Sequence, residues 1–226
     1  MKSETLVKPS DRLRDAAMPI WLKVMEHPYI KELKNGTLPM DTFRFYVQQD
    51  WLYLQEFTRT AAVIASRAPD PDVMKFLLAW VEPLVGMEYH FHQKHADVLQ
   101  LDFNNISWEM NHANWAYSRH MLAAAHSGST AEALAALLPC PCVYAYVGRE
   151  LIAGKPSPNP VFADWIDFYA PGRADERIAA IQDLYDRVAT SADAATLARC
   201  ERNYVLSSRY EWGFWDAAYH RQTWPV

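Results

Sequence analysis

Apolar residues recur at intervals of three and four along almost the whole chain, and no stretch shows a convincing alternation of β-branched with polar residues. The first pattern places apolar side chains along one face of a helix, whereas the second would be typical of strands. Helix boundaries are marked, for example, by the capping-box spacing from Ser129 to Glu132 and by stops at Gly128 and Gly154. We therefore predict an all-α protein of about seven or eight helices, several of them longer than about 20 residues.

The connections between the predicted helices are short, and no linker, low-complexity segment or internal repeat interrupts them. Long helices with short joints favour one helical bundle over two smaller units. We expect the whole chain, residues 1–226, to form a single domain. Helical bundles commonly hold ligands in the core between facing helices, so inward-facing polar side chains should mark the site.

Composition and charge narrow the class of protein. Half of the 226 residues are hydrophobic, the formal net charge is −5 and the basic residues are scattered, which argues against nucleic acid as a partner. The N-terminal segment has no apolar core of signal-peptide length, and no later apolar run approaches the roughly 20 residues that span a bilayer. We expect a cytoplasmic protein with no membrane partner. Its three cysteines should be reduced thiols.

An acidic residue interrupts an aromatic stripe in the helix predicted after Asp41. Tyr46, Asp50, Tyr53 and Phe57 are spaced so that they share one helix face. A carboxylate is costly to bury among aromatic rings unless something pairs with it. Asp50 therefore has either a structural partner, such as a tyrosine hydroxyl, or a ligand.

The last predicted helix repeats this arrangement. Ser207, Glu211, Phe214 and Ala218 share one face, so Glu211 is again an acid among aromatic and small residues. Taken alone, Glu211 is better explained as an exposed residue on the helix flank, paired with Arg209 or another neighbour. Two acids on the inward faces of two distant helices make a shared ligand site the stronger hypothesis.

Two short spacings could belong to a metal site. Glu88 and His92 are four residues apart, and Glu109 and His112 are three apart. A di-iron bundle needs two Glu-x-x-His pairs plus further carboxylates, and only one such pair is present. We expect no metal. Glu88 and His92 are better explained as a pair on the helix surface or as a hydrogen bond behind a site.

The stretch LLPCPCVYAYVG places two prolines inside a strongly helix-forming region. Pro139 and Pro141 each lack an N–H, so the helix must kink here, or stop and restart. Proline also steers the preceding residue away from the α region, so Leu138 and Cys140 should be extended. A restart near Pro141 would put Cys140 at a helix N-terminus, where the helix dipole and unpaired N–H groups stabilise a thiolate.

The two cysteines of this stretch should point in different directions. Cys140, Tyr144 and Val147 fall on one helical side, and Cys142 faces away from it. If one of them is functional, it is Cys140. The alternatives are a buried structural thiol, which is the commonest fate of a free cysteine, and a Cys-x-Cys metal site, for which companion ligands are missing.

Six stretches occur together in a characteristic order and spacing: FRFYVQQDWLYL, the ExxxH of Glu88 to His92, NWAYSRHM, LLPCPCVYAYVG, FADWIDFY and SSRYEWGFWDAAY. From about Pro28 to the C-terminus the chain resembles the TenA family, the thiaminase II or aminopyrimidine aminohydrolase proteins. The resemblance implies a fold like haem oxygenase, a homotetramer and a buried pocket. The implied reaction, part of thiamin salvage, hydrolyses 4-amino-5-aminomethyl-2-methylpyrimidine to the hydroxymethyl compound and ammonia. Such proteins can also cleave thiamin, and no metal or organic cofactor is implied.

The resemblance also assigns residues by motif position. Cys140 resembles the nucleophile, Glu211 the acid/base residue, and Asp50 the residue that holds the ring nitrogen and amino group. Pocket and proton-relay positions are matched by Tyr53, Tyr117, Tyr144, Tyr169 and Phe214. The reaction chemistry agrees, because the substituent leaves easily only after a thiolate has added to the ring. That addition needs a nucleophile, a proton donor and a group that holds the exocyclic amine.

One departure from the family pattern bears on substrate choice. Many members have large aromatic residues directly after the nucleophile, where this chain has Pro141 and Cys142. The lost bulk would widen the site, and the proline would shift the thiol, so a changed substrate is one alternative. Two others are a metal-dependent oxygenase or oxidase on the same fold and a non-catalytic protein that binds or senses pyrimidines.

Overall fold

The computed structural model describes residues 7–172 and 174–226. The N-terminal segment for which we expect no signal peptide lies partly outside the described residues. Within them the protein is all-helical, which confirms the predicted fold class. The eleven helical segments, in chain order, are α1 Pro9–Glu26, α2 Pro28–Asn35, α3 Met40–Arg67, α4 Pro71–Lys94, α5 Ala96–Leu99, α6 His112–Ser127, α7 Thr130–Leu137, α8 Pro139–Ile152, α9 Pro160–Phe168, α10 Asp175–Ala189 and α11 Ala194–Tyr219.

The helix boundaries follow local sequence signals. Asp70, Asn159 and Asp193 each accept a hydrogen bond from a backbone N–H in the first turn of the helix that follows. Ser129 and Glu132 form the predicted capping box at the start of α7. The segments outnumber the seven or eight expected because α2 and α5 are short, and because the structure divides α7 from α8.

Two long helices, α3 and α11, bring the candidate acids into one core. Helix α3 packs on α4, α6, α7 and α11, and α11 also packs on α1, α6, α7 and α8. The side-chain amide of Gln49 ties α3 to the start of α6, since it accepts a hydrogen bond from the Asn111 N–H at 2.9 Å and donates one to the Glu109 carbonyl at 2.9 Å. Asp50, the next residue, is thereby held with its side chain in the interior.

The proline stretch is more helical than predicted. Leu138 has α-helical dihedral angles (φ −58°, ψ −34°), and Cys140 is the second residue of α8, so our prediction of extended geometry for both is wrong. The physical reason is that α8 restarts at Pro139 and not near Pro141. Both prolines then lie in the first turn, where backbone N–H groups have no helical acceptor and a proline is tolerated. Hydrogen bonds from Leu138 N–H to Leu134 and from Cys142 N–H to Leu138 continue across the junction.

Because helical hydrogen bonds continue from α7 into α8, Thr130–Ile152 is one stretch that is long and apolar enough to cross a membrane by length and composition alone. Our expectation that no apolar run approaches membrane-spanning length is therefore wrong, because α8 continues α7 across the prolines. In the structure 78% of the most apolar window of this stretch is buried inside the protein, which is typical of a core helix.

Candidate functional site

A cavity in the core, which we call the central cavity, is bordered by α3, α4, α8, α9, α10 and the connection between α9 and α10. It contains about 650 Å³ of space not filled by atoms, including its opening to solvent. Its polar lining comes from Asp50, Glu88, Cys140, Tyr144, Tyr169 and Asp175. The other lining residues are largely apolar: Leu54, Phe57, Leu84, Met87, Pro141, Ala145, Phe168, Ala170, Ala174 and Ile178.

Cys140 lies at this cavity with its thiol largely buried. The hydroxyl of Tyr53, which donates to Met121 Sδ at 3.5 Å, also interacts with the thiol and lowers its pKa. Burial raises the pKa of the Cys140 thiol well above its usual value, and the carboxylates of Glu211 and Glu88 raise it further. Our expectation of a thiolate stabilised by a helix N-terminus is therefore wrong, because burial and the nearby carboxylates favour the neutral thiol.

Glu211 lies behind Cys140 rather than in the cavity wall, and two tyrosines connect them. The hydroxyl of Tyr117 donates a hydrogen bond to Glu211 Oε1 at 2.7 Å, and the rings of Tyr53 and Tyr117 are 5.2 Å apart. Burial raises the pKa of Glu211 to about 8, although the hydrogen bond from Tyr117 opposes this shift. Such a carboxyl can hold or release a proton near neutral pH.

Asp50 is 3% exposed and lines the cavity from α3. Its Oδ2 lies 3.0 Å from Nε2 of His92 on α4, but the two groups are not aligned as a hydrogen bond. Asp50 Oδ2 and His92 Nδ1 have no hydrogen-bond partner among the described residues. The structural partner that the sequence left open is thus His92 and not a tyrosine, and it leaves acceptor capacity on Asp50 for a ligand.

The predicted aromatic positions divide into two groups. Tyr144 and Tyr169 border the cavity, with ring centroids 4.8 Å apart, and Tyr144 accepts a hydrogen bond from the Tyr46 hydroxyl at 3.3 Å. Tyr53 and Phe214 lie behind the wall with Tyr117, and their own rings are 5.8 Å apart. The fold therefore brings all eight predicted site residues to one region, four at the cavity and four behind it.

Glu88 is a cavity residue that sequence reasoning did not assign to the site. It does not pair with His92 on the surface of α4, which was one of two interpretations, because His92 is buried beside Asp50. Instead Glu88 borders the cavity with Tyr169, whose hydroxyl interacts with its carboxyl. Burial raises the pKa of Glu88 well above its usual value, and Asp50 adds to this. The available signal was the spacing of Leu84, Glu88 and His92, which puts both polar residues on the inward face.

Cys142 and Pro141 occupy different places although they are adjacent. Pro141 borders the cavity, whereas Cys142 faces away from it, as predicted, and is buried against α10 and α11. The side-chain amide of Gln182 donates to Cys142 Sγ at 3.6 Å. All three cysteines are free thiols. The departure from the usual aromatic pair thus changes the cavity wall at one position only.

The backbone around Tyr169 depends on Gly148 in α8. A Cβ atom at position 148 would lie 2.0 Å from the Tyr169 carbonyl oxygen, a distance that no side chain could accept. The glycine therefore lets the end of α9 approach α8 closely enough for Tyr169 to reach the cavity beside Tyr144. We expect any larger residue here to displace Tyr169.

The positions of the described side chains also bear on metal binding. Within residues 7–172 and 174–226, no three His, Cys, Asp or Glu side chains converge as a metal-ligand set would. Glu88 and His92 contact different partners, so they do not form the possible metal-ligand pair that their spacing in the sequence had suggested.

The chain is similar to known proteins over nearly its whole length. The model of the TENA/THI-4/PQQC family matches residues 14–221. The aminopyrimidine aminohydrolase of Bacillus subtilis is 30% identical over 219 residues, which cover 96% of this chain and 92% of the relative.

Solved structures extend the comparison to the fold. A TenA homologue from P. horikoshii OT3 superimposes with a TM-score of 0.82 at 32% identity, over 96% of this chain and all of the other. A domain with a haem-oxygenase-like fold from Shewanella denitrificans gives a TM-score of 0.75 at 11% identity, over 96% of this chain and 94% of the other. The second likeness concerns the fold alone.

Proposed function

The chain belongs to the TENA/THI-4/PQQC family, and we propose that it is an aminopyrimidine aminohydrolase of thiamin salvage. It is an enzyme of the hydrolase class. The proposed reaction converts 4-amino-5-aminomethyl-2-methylpyrimidine and water to the 5-hydroxymethyl compound and ammonia. Thiamin, which carries the same aminopyrimidine, is a second substrate. We further propose that residues 1–226 act as one cytoplasmic domain and assemble as a homotetramer.

The observation that carries this proposal is the meeting of three unlike groups at one cavity. The Cys140 thiol lies in the wall, Asp50 lines the same wall with a carboxylate oxygen free to accept, and Glu211 is connected to the thiol through tyrosines. A nucleophile, a group for the exocyclic amine and a proton carrier are the parts that the reaction requires.

Asp50 supports the first step, the binding of the pyrimidine. An aminopyrimidine offers an N–H donor of its amino group next to a ring nitrogen, and a carboxylate can accept the first and share a proton with the second. The rings of Tyr144 and Tyr169 are placed to contact the faces and edges of the flat heterocycle.

The chemical step begins with proton transfer from the Cys140 thiol toward Glu211 through Tyr53 and Tyr117. The sulfur adds to the ring carbon next to the substituted carbon, and the proton returns from Glu211 through the same tyrosines to the neighbouring ring nitrogen. The bond from the methylene carbon to the protonated amine nitrogen then breaks, and its electron pair leaves with ammonia. Water adds to the resulting exocyclic methylene and releases a proton. Expulsion of the thiolate, with return of the ring-nitrogen proton to it, restores the aromatic ring.

The test is ammonia release from 4-amino-5-aminomethyl-2-methylpyrimidine, with thiamin measured in parallel. Cys140→Ser should lose turnover by at least about 10³-fold while it stays folded, since it removes the nucleophile. Cys142→Ser is the matched control and should be mild, because Cys142 faces away from the cavity. Equal losses in both variants, or no turnover by the folded wild-type protein, would contradict the proposal.

A further inference from the structure

Glu88 has no task in the mechanism above, yet it borders the cavity. It comes from α4, whereas Asp50 comes from α3 and Cys140 from α8. The charges of Asp50 and Glu211 both act on Glu88, and Cys140 in turn responds to Glu88, so all four groups share one electrostatic environment. Tyr169 borders the same cavity, and its hydroxyl lowers the pKa of Glu88 against the effect of burial.

The charge of the cavity is unbalanced. Its described lining residues include Asp50, Glu88 and Asp175 but no lysine or arginine. Among the described residues an arginine reaches Asp175, where Arg149 lies 4.0 Å away, and a histidine, His92, lies 3.0 Å from Asp50. Asp50 borders the cavity and is 3% exposed, and its buried Oδ2, 3.0 Å from His92 Nε2, makes no hydrogen bond among the described residues. Buried negative charge of this kind is costly until a cation or a hydrogen-bond donor arrives.

We propose that Glu88 is the residue that binds the positively charged aminomethyl group of the substrate and so selects ammonium-bearing pyrimidines over neutral ones. This inference rests on the proposed function. Asp50 is assigned to the ring edge, and Glu88, from the neighbouring helix α4, borders the same cavity and is assigned to the substituent. A primary alkyl amine is protonated near neutral pH, and its three N–H groups match a carboxylate acceptor.

Binding of the protonated amine by Glu88 is consistent with the step in which the carbon–nitrogen bond breaks. In the ammonium form the leaving group departs as neutral ammonia, because the carbon–nitrogen bond breaks and its electron pair stays on nitrogen. Glu88 remains unchanged in this step. The ring then carries a neutral hydroxymethyl group, so the product has lost the charge that Glu88 binds, and its release is favoured over that of the substrate.

The positive charge of the bound aminomethyl group would also favour ionisation of the Cys140 thiol. A cation beside Glu88 would offset the negative charge of the carboxylates that disfavours ionisation of Cys140. A ligand with the ammonium group therefore brings its own counter-charge to the thiol, whereas a neutral pyrimidine does not.

The test is calorimetric binding on the Cys140→Ser background, where chemistry is disabled and both ligands are stable. In this background, Glu88→Gln should weaken binding of 4-amino-5-aminomethyl-2-methylpyrimidine by roughly 10- to 100-fold, the range for loss of a charge-assisted hydrogen bond. Binding of the neutral 5-hydroxymethyl compound should change less than about threefold. Glu88→Asp should recover part of the lost affinity, which a merely structural role would not require.

Glu82→Gln is the matched control, since Glu82 is an exposed acid on the same helix and outside the central cavity. Equal weakening of both ligands by Glu88→Gln, or no change in either, would overturn the role of Glu88 and leave the proposed function standing. Failure of the Cys140→Ser protein to bind either pyrimidine would overturn both. Thermal unfolding of each variant separates these outcomes from loss of fold.

Discussion

The protein buries two kinds of acid, and they differ in their partners. Glu56 on α3 forms ion pairs with Arg59 and Arg119, and Glu132 on α7 pairs with Arg199 in addition to capping its helix. These acids lie at the edge of the core with arginines that are open to solvent. They are explained by the fold alone.

The acids around the central cavity have a different environment. Asp50, Glu88 and Glu211 have tyrosine or histidine neighbours, and no ion pair with lysine or arginine joins any of them among the described residues. A fold would gain stability if such charges were replaced by neutral groups, so their presence is better explained by a ligand. The comparison teaches that the partner of a buried acid, more than its burial, indicates its role.

The largest effect is expected when an acid of the central-cavity group is replaced, and it is a loss of turnover. Glu211→Gln should lower kcat by about 10²- to 10³-fold, because the amide keeps the contact with Tyr117 but cannot exchange protons. The measurement is steady-state ammonia release, with Cys142→Ser as a buried control away from the cavity. A Glu211→Gln enzyme within threefold of wild type would remove Glu211 from the proton relay.

A smaller effect is expected on substrate binding. Asp50→Ala should raise KM by roughly 10- to 100-fold and lower kcat less, since Asp50 is assigned to holding the ring and not to bond breaking. The measurement is a full kinetic profile for the aminomethyl substrate. An unchanged KM would count against this role, and Asp50 would then have only a structural role as the partner of His92.

Next in size is the dependence of stability on pH. Glu211 has its pKa raised from 4.5 to about 8, so the folded protein binds more protons than the unfolded chain between these values. The free energy of unfolding should therefore fall as pH rises from about 5 to about 8. Urea unfolding should show a shallower fall for Glu211→Gln, which has no carboxyl to titrate. Parallel curves for the two proteins would contradict the raised pKa.

The smallest effect is expected at an arginine-paired acid. Glu56→Gln should destabilise the protein by about 1 kcal/mol, because it weakens two partly exposed ion pairs, and should leave kcat and KM unchanged. Chemical denaturation and the ammonia assay check both statements. A loss of activity without a loss of stability would show that the arginine pairing does not separate the two kinds of acid.

Helix periodicity anticipated much of the fold and part of the site. It placed Asp50 and Glu211 on inward faces and set Cys142 opposite Cys140, because each of these statements depends only on residue spacing along one helix. The capping box at Ser129 was found for the same reason.

Features that depend on contacts between helices were missed. Glu88 was interpreted as a partner of His92, on the helix surface or behind a site, because both lie on one helix, whereas His92 lies beside Asp50 of α3 in the structure. The thiol of Cys140 was expected to ionise easily, since a helix N-terminus is visible in sequence but the carboxylates that oppose it come from α4 and α11. Local propensity also failed at Leu138, where packing of two helices end to end outweighs the proline preference.

The most direct measurement is the free energy of unfolding of Asp50→Asn compared with wild type, in urea near neutral pH without ligand. If Asp50 is kept for a ligand, the variant should be at least as stable as wild type, because a buried charge with an unpartnered oxygen has been replaced by a neutral group of the same shape. A variant less stable by more than about 1 kcal/mol would contradict this and would make the pairing of Asp50 with His92 a structural one.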